Sequence, residues 1–347
     1  MTRPSRLSRR KRLVFSAAVL ATSFGVLELV LTLGGVEYAR TPRAMKQAFV
    51  EDYIGWQNAS VELQHFQPHP VRMWSPLPGV GLVNAEGFQG ASLPRDRTPG
   101  VLRVLFLGDS CTNAGPQGYP EQTIRSLERR ALESESLIAG CGGYSTWQGL
   151  AWLKEALEWR PDVVVAYFGW NDHWVSPLPD HEFVAPGVAS RWLSSTLGRA
   201  RTYQLLHRLI HPPVPGGRLP RDPERIIERV RVPPPQFSDN VRRITKLTEA
   251  AGAKMVWVSP PSAKHVVETD KSVLIGHTEL IPAVHSRYVD LLREAVGQLP
   301  AARLVELAAF DRQTMLPDGI HPTAAGNGVI AAALADVIAA TLEQERR

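Results

Sequence analysis

VLRVLFLGDSCTNAG, Val101 to Gly115, changes character half-way along. Val101 to Leu107 is β-branched and apolar with one arginine, the composition of a buried strand. Gly108 breaks it. Asp109 and Ser110 follow at the strand's C-terminal end, ahead of a polar turn and a helical stretch starting near Tyr119. In an open α/β sheet, ligands bind at that end of the strands. A serine there is presented to solvent while helix-start amides face whatever it attacks. Taken alone, Gly-Asp-Ser is also an ordinary strand-to-helix turn, because all three residue types favour turns.

Strands and helices alternate onward from Val101, the pattern of a parallel sheet covered on both faces. An amphipathic stretch spans Glu121 to Leu132, and a short strand near Ser136 to Ile138 runs into AGCGGYSTWQG. A helix covers Thr146 to Glu158, and DVVVAYFGWND reads as a fully buried strand ending in a glycine loop. Val175 to Pro235 is an insertion with eleven prolines and one helical block, Ser190 to Ile210. Then come a helix Gln236 to Ala251, a strand Lys254 to Ser259, a helix near Ala283 to Val296 and a strand Arg303 to Leu307. DGIHPTAAGN leads into a last helix, Thr323 to Leu342.

Four loops each follow a strand and so open on one sheet edge. They are Gly108-Asp109-Ser110, the Gly142-Gly143 loop, Gly169-Trp170-Asn171-Asp172 and Asp318-Gly319-Ile320-His321. Together they hold a hydroxyl, an acid–histidine pair, a side-chain amide and glycine amides, which are the parts of acyl transfer. A serine hydroxyl is a poor nucleophile until a base removes its proton, and imidazole is matched to that task. Asp318, three residues before His321, lets one tight turn carry both side chains. Asn171 offers a side-chain N–H to a developing oxyanion, and Gly143 and Ser110 offer backbone N–H groups. Trp170, His173 and Trp174 are candidates to line a substrate pocket, or they pack. Asp109 adjoins Ser110, points away from it and is structural; Asp172 reads as a turn former.

These blocks resemble those of the SGNH (GDSL-like) hydrolases: Gly108-Asp109-Ser110, a glycine near a strand end at Gly143, GWND at Gly169 to Asp172, and DGIH at Asp318 to His321, in family order over about Val101 to Ala340. The resemblance implies a three-layer α/β/α, flavodoxin-like fold and ester hydrolysis without a cofactor. It makes Ser110 the nucleophile, His321 the base, Asp318 its orienter, and Ser110, Gly143 and Asn171 the oxyanion hole. Where the family often has an asparagine shortly before the second-block glycine, this chain has Ile138. In such a fold the first two blocks are neighbours, so Cys111 and Cys141 form a candidate disulfide; the alternative is two small buried residues that pack. No cysteine or histidine spacing fits a metal site.

The chain has 347 residues, 44% hydrophobic and 21% charged, so it is globular. The formal charge of +5 comes from the first twelve residues, where Arg3, Arg6, Arg9, Arg10, Lys11 and Arg12 precede any acid. The remainder holds 33 basic against 34 acidic residues, which gives no argument for a nucleic-acid surface. Residues 1–12 are a basic cytoplasmic tail, and Leu13 to Val36 is an apolar run of 24 residues with one charge, Glu28. That is long enough to span a bilayer and lacks a cleavage site, so it reads as an uncleaved signal anchor. The basic tail keeps the amino terminus in the cytoplasm and places the rest outside; together with the style of anchor, the resemblance implies the inner membrane of a bacterium. Glu28 costs about 2–3 kcal/mol at mid-membrane. It is a helix–helix contact or, on the simpler reading, a defect that a long segment tolerates. Residues 37–99 are an extended N-terminal segment with short strands, including a hairpin at Val80 to Gly90, and 100–347 form the hydrolase domain with the insertion at about 175–235.

The expected activity is serine-esterase deacylation of an O-acyl group, such as O-acetyl, on an envelope glycan. Lipid chemistry (lysophospholipase or thioesterase), acyl transfer to a polysaccharide hydroxyl, and a non-catalytic glycan-binding assembly role are the alternatives. The expected partners are an ester substrate, glycan or lipid, and the membrane.

Overall fold

The computed structural model describes residues 8–34, 66–69, 71–174, 176, 179–183, 196–197, 200–210, 227, 230–261 and 281–346. The expectations for residues 1–7, for 37–65 and for the start of the helical block at 190–195 lie outside them.

Five parallel strands form the central sheet: β3 (Leu102–Gly108), β4 (Ser134–Gly140), β5 (Val163–Tyr167), β6 (Lys254–Val258) and β7 (Ala302–Val305), in the order β4-β3-β5-β6-β7. That order reverses direction between β3 and β5, so the ligand crevice of a doubly wound sheet opens above the end of β3. The inner strands are buried on both faces; Val104 to Leu107, Val163 to Tyr167 and Val256 to Val258 have no solvent exposure. Such strands are apolar runs rather than alternating ones.

Helices α2 (Tyr119–Glu128) and α8 (Ala324–Arg346) pair on one face. Helices α3 (Thr146–Ala156), α6 (Pro234–Ala250) and α7 (Ile281–Gly297) cover the other. The result is the three-layer α/β/α, flavodoxin-like arrangement. α3 starts with a capping box: Ser145 and Gln148 satisfy each other's backbone N–H groups, which fixes the chain as it leaves the second glycine loop.

The segment before the sheet is used in the core. Strands β1 (Phe66–His69) and β2 (Met73–Pro76) pair antiparallel, and Trp74 is fully buried. Val83 bridges Gln89 across a turn closed by Asn84, and Gln89 bridges Ile138 on the edge of the sheet.

Helix α1 (Arg9–Leu33) is 25 residues long with a mean hydropathy of 2.0 over its most apolar window, and none of its residues is buried. α8 is also long and apolar enough to cross a membrane, but its apolar face packs on α2 and the sheet. Two short helices come from the insertion, α4 (Asp180–Phe183) and α5 (Arg201–Ile210). The simpler expectation for Glu28 is corrected here. Its carboxylate accepts from the backbone N–H groups of Arg201 (3.0 Å) and Thr202 (2.8 Å), and Arg201 Nη1 donates to Thr32 Oγ1. Glu28 is thus the helix–helix contact, satisfying orphan donors at the start of α5.

Candidate active site

The chain leaves β3 through a residue that cannot be larger than glycine. A Cβ on Gly108 would lie 2.0 Å from Thr112 Oγ1 and 2.8 Å from the Tyr167 carbonyl oxygen. Asp109 then turns inward and is fully buried. Its Oδ1 accepts from the Cys111 N–H (2.9 Å) and its Oδ2 from Asn171 Nδ2 (3.1 Å). This Asx turn reverses the chain and leaves Ser110 half-exposed at the tip. Burial pushes the Asp109 carboxyl up to about 6, against the hydrogen bonds that favour its charge.

The loop after β7 reaches the same edge. Asp318 Oδ1 accepts from the N–H groups of Ile320 (2.9 Å) and His321 (3.0 Å), so the aspartate closes its own turn. Its Oδ2 lies 2.8 Å from His321 Nδ1, and His321 Nε2 lies 2.7 Å from Ser110 Oγ. Although burial works against it, hydrogen bonds from the His321 ring and from two backbone N–H groups hold the Asp318 carboxyl below its ordinary range. With Nδ1–H donated to the carboxylate, Nε2 carries the lone pair that faces the serine hydroxyl. The side chains of His321 and Asp318 are 37% and 43% exposed, so the site is open to a bulky molecule.

The second and third blocks meet the first through the backbone. The Cys141 N–H donates to the Gly108 carbonyl (3.1 Å), and Gly108 pairs in register with both Gly140 and Tyr167. Gly143 has φ +77°, a conformation that favours glycine. Asn171 is 5% exposed and gives one of its two N–H donors to Asp109.

One profile decides the family. The GDSL-like Lipase/Acylhydrolase family matches residues 106–329, which is more than half the chain and includes all four loops. The chain belongs to the GDSL-like acylhydrolases. It is therefore a serine hydrolase acting on ester bonds, and the non-catalytic reading falls away. Among solved structures, this acylhydrolase is similar to a lipase/acylhydrolase from Enterococcus faecalis (16% identity, 69% of this chain and 95% of that one, TM-score 0.43). It is also similar to the acetyl xylan esterase AlAXEase (16% identity, 68% and 100%, TM-score 0.43). A third is LAE5, an alpha/beta hydrolase enzyme from the metagenome of Lake Arreo, Spain (18% identity, 69% and 94%, TM-score 0.43). No substrate is carried over from them. No curated protein matches the chain.

Two expectations about this acylhydrolase are corrected. Cys111 and Cys141 are free thiols, both buried. Cys111 Sγ faces the Ile320 carbonyl under the histidine loop, whereas Cys141 Sγ faces the Gly142 carbonyl, so the sulfurs serve different contacts. Burial raises both thiols above their ordinary range, which keeps them protonated. Trp170 and His173 do not line a pocket. Each is 3% exposed, and Trp170 stacks on His285 of α7 with ring centres 3.7 Å apart. His173 Nε2 lies 3.1 Å from His285 Nδ1, and His285 Nε2 lies 3.2 Å from the Pro260 carbonyl. Burial drives His173 well down and His285 to about 4, so both rings are neutral. The third loop is aromatic because it packs inward. Trp174 is half-buried against the same core.

Asp172 is also more than a turn former. Its Oδ1 accepts from the N–H (2.9 Å) and hydroxyl (2.5 Å) of Thr146, tying the third loop to the start of α3. Burial lifts its carboxyl to about 7. The sequence reading missed Trp74, Asp180 and Arg231, whose side chains are fully buried behind the glycine loop. The only signals they give are a tryptophan in an extended segment and charged residues in a proline-rich insertion. Among the described residues, no group of three or more His, Cys, Asp or Glu is placed to hold a metal ion.

Proposed function

We propose that this acylhydrolase hydrolyses an O-acyl ester, such as an O-acetyl group on an envelope glycan, with Ser110 as nucleophile, His321 as general base and Asp318 as its orienter. The observation that carries the reading is the continuous chain Asp318 Oδ2, His321 Nδ1, His321 Nε2, Ser110 Oγ, with links of 2.8 and 2.7 Å. His321 Nε2 takes the hydroxyl proton as Ser110 Oγ bonds to the ester carbonyl carbon. The carbonyl oxygen becomes an oxyanion held by N–H groups of Ser110, Gly143 and Asn171. The ester C–O bond then breaks, the imidazolium returns its proton to the leaving oxygen, and the alcohol departs. His321 next deprotonates a water that attacks the acyl-serine, giving a carboxylic acid and free Ser110.

The exposure of His321 and Asp318 leaves the ester accessible when it is carried on a large molecule such as a glycan. A second reading, removal of acyl chains from lipids, is favoured by α5, where Leu205, Leu206, Leu209 and Ile210 are exposed beside α1. α1 is about 37 Å long at 1.5 Å per residue, enough to cross a bilayer. On this reading it anchors the chain in the bacterial inner membrane with the catalytic domain outside, and Glu28 is partnered by α5 rather than bare. The test is turnover of p-nitrophenyl esters and acetylated polysaccharide by the full chain in detergent, with and without a sugar acceptor. Acetyl esters at least tenfold faster than palmitoyl esters support deacetylation. The reverse order supports lipid chemistry, product acylated on the acceptor supports transfer, and no turnover of any ester overturns the proposal.

A further inference from the structure

Gly143 is a buried residue, and among the described residues its N–H has no acceptor. Buried backbone N–H groups are nearly always paired, so an unpaired one at a site edge is a donor kept for a ligand. Both carbonyls that flank Gly143 are hydrogen-bonded by side chains that lie outside the four family blocks. Trp74 Nε1 donates to the Gly142 carbonyl (3.1 Å), and Arg231 Nη1 donates to the Gly143 carbonyl (2.5 Å).

The Gly142 carbonyl and the Gly143 N–H belong to one peptide plane. That peptide is trans, so the two groups point in opposite directions. Fixing the carbonyl on the Trp74 indole therefore aims the N–H away from Trp74, and the same hydrogen bond polarises the peptide and strengthens its N–H as a donor. Arg231 fixes the next plane, which sets the other torsion of a residue at φ +77°. The clamp is rigid. The Arg231 guanidinium is paired to Asp180 by Nε–Oδ1 and Nη2–Oδ2 contacts of 2.9 Å each, and neither side chain is exposed. Arg231 Nη2 also donates to Gln148 Oε1 (2.7 Å), and Ser145 Oγ donates to Asp180 Oδ2 (2.6 Å). The guanidinium lies 5.4 Å from the Trp74 ring centre, so the two donors brace each other.

We propose that Trp74, from the segment before the sheet, and Arg231, from the insertion, are positioning residues that orient the Gly143 N–H as an oxyanion donor for the acyl-transfer transition state. This rests on the reading of Gly143 as part of the oxyanion hole. A preorganised donor acts on charge that develops during reaction, so its misorientation lowers kcat and leaves KM largely unchanged.

The test has two arms, both on the full chain in detergent. In the wild type, glycine labelled with carbonyl ¹³C and amide ¹⁵N reports only the three Gly–Gly peptides, at Gly34-Gly35, Gly142-Gly143 and Gly216-Gly217. An arylboronic acid, which forms a tetrahedral adduct on an active serine, should shift one of these amide protons downfield. In the second arm, Trp74→Phe removes the indole N–H and keeps the ring. Its kcat for an acetyl ester should fall about ten- to a hundredfold with KM within twofold, and arylboronate affinity should fall in parallel. Arg231→Lys, which keeps a cation beside Asp180 but loses the fork, repeats the readout at the second carbonyl, and serves alone if Trp74→Phe does not fold. An unmoved Gly–Gly amide in the wild type overturns the oxyanion reading itself. A shifted amide together with unchanged kcat and boronate affinity in a folded variant overturns the positioning role alone.

Discussion

Ser110 owes its position to an aspartate that turns away from it. Asp109 is buried, spends its carboxylate on Cys111 and Asn171, and leaves the next side chain outside. Asn171 is therefore held by the residue beside the nucleophile, with a second N–H to spare. Asn171→Ala should lower kcat by about 10²–10³ with little change in KM, measured on a soluble acetyl ester; a rise in KM at constant kcat would make it a binding residue instead. Asp172 gives a second test. Its folded-state carboxyl titrates near 7, above the ordinary value of 3.8, because it is buried. Such a group contributes stability at pH below about 4 and loses it as pH rises to about 7. Asp172→Asn removes that titration, so its stability relative to wild type should rise between pH 4 and 7 in urea melts. A constant difference would contradict the raised value. That Ser110, Asp318 and His321 come together at one sheet edge was legible because each sits in a short block that a strand end must present. Trp170 and His173 stay open in the sequence because a strand-end loop has an inner side as well as an outer one, and only α7, far along the chain, shows which side the rings take. Trp74 and Arg231 carry no motif at all; their meaning lies in carbonyls they meet across long sequence separations.

At the level of elements, the site depends on two strand ends that meet almost without side chains. A Cβ on Gly140 would lie 1.6 Å from the Thr112 carbonyl oxygen, a backbone atom of the serine turn. Gly140→Ala should force that turn away, costing about 1–3 kcal/mol or more as overpacked cores do. The melting temperature should fall by several degrees and kcat should fall with it; a variant with unchanged melting and turnover would show that the two loops are not in contact. The alternation of strands and helices was plain in the sequence because inner parallel strands are uniform apolar runs. Their ends were less so. β4 begins at Ser134, not Ser136, because polar residues there join the ladder opposite Leu102 and Arg103, and Glu135 pairs with the buried Arg103. Polarity alone reads as a turn. The cysteines were placed on neighbouring loops correctly, but which way each sulfur points depends on side-chain packing that sequence spacing does not encode.

At the scale of the whole molecule, the parts outside the family blocks are not appendages. The segment before the sheet supplies Trp74 and Gln89, and the insertion supplies Asp180 and Arg231 to the buried side of the glycine loop. The same insertion supplies α5, whose first amides take up Glu28 of α1. The sequence shows an apolar run and a proline-rich insertion; it does not show that the two touch, since Glu28 and Arg201 are far apart in the chain. If α1 is a signal anchor, an alkaline phosphatase reporter fused after Arg347 should be active and a cytoplasmic reporter at the same point inactive. The opposite pattern would place the catalytic domain in the cytoplasm and contradict the anchor reading.

The central claim is that Ser110 attacks the ester with His321 as its base. The most direct measurement is turnover of an ester that the wild-type chain cleaves, made in parallel on Ser110→Ala with folding checked by circular dichroism. The account predicts a loss of roughly 10⁶-fold, the scale seen when a nucleophile is removed from a serine triad. A folded Ser110→Ala that keeps more than a tenth of wild-type turnover would contradict it.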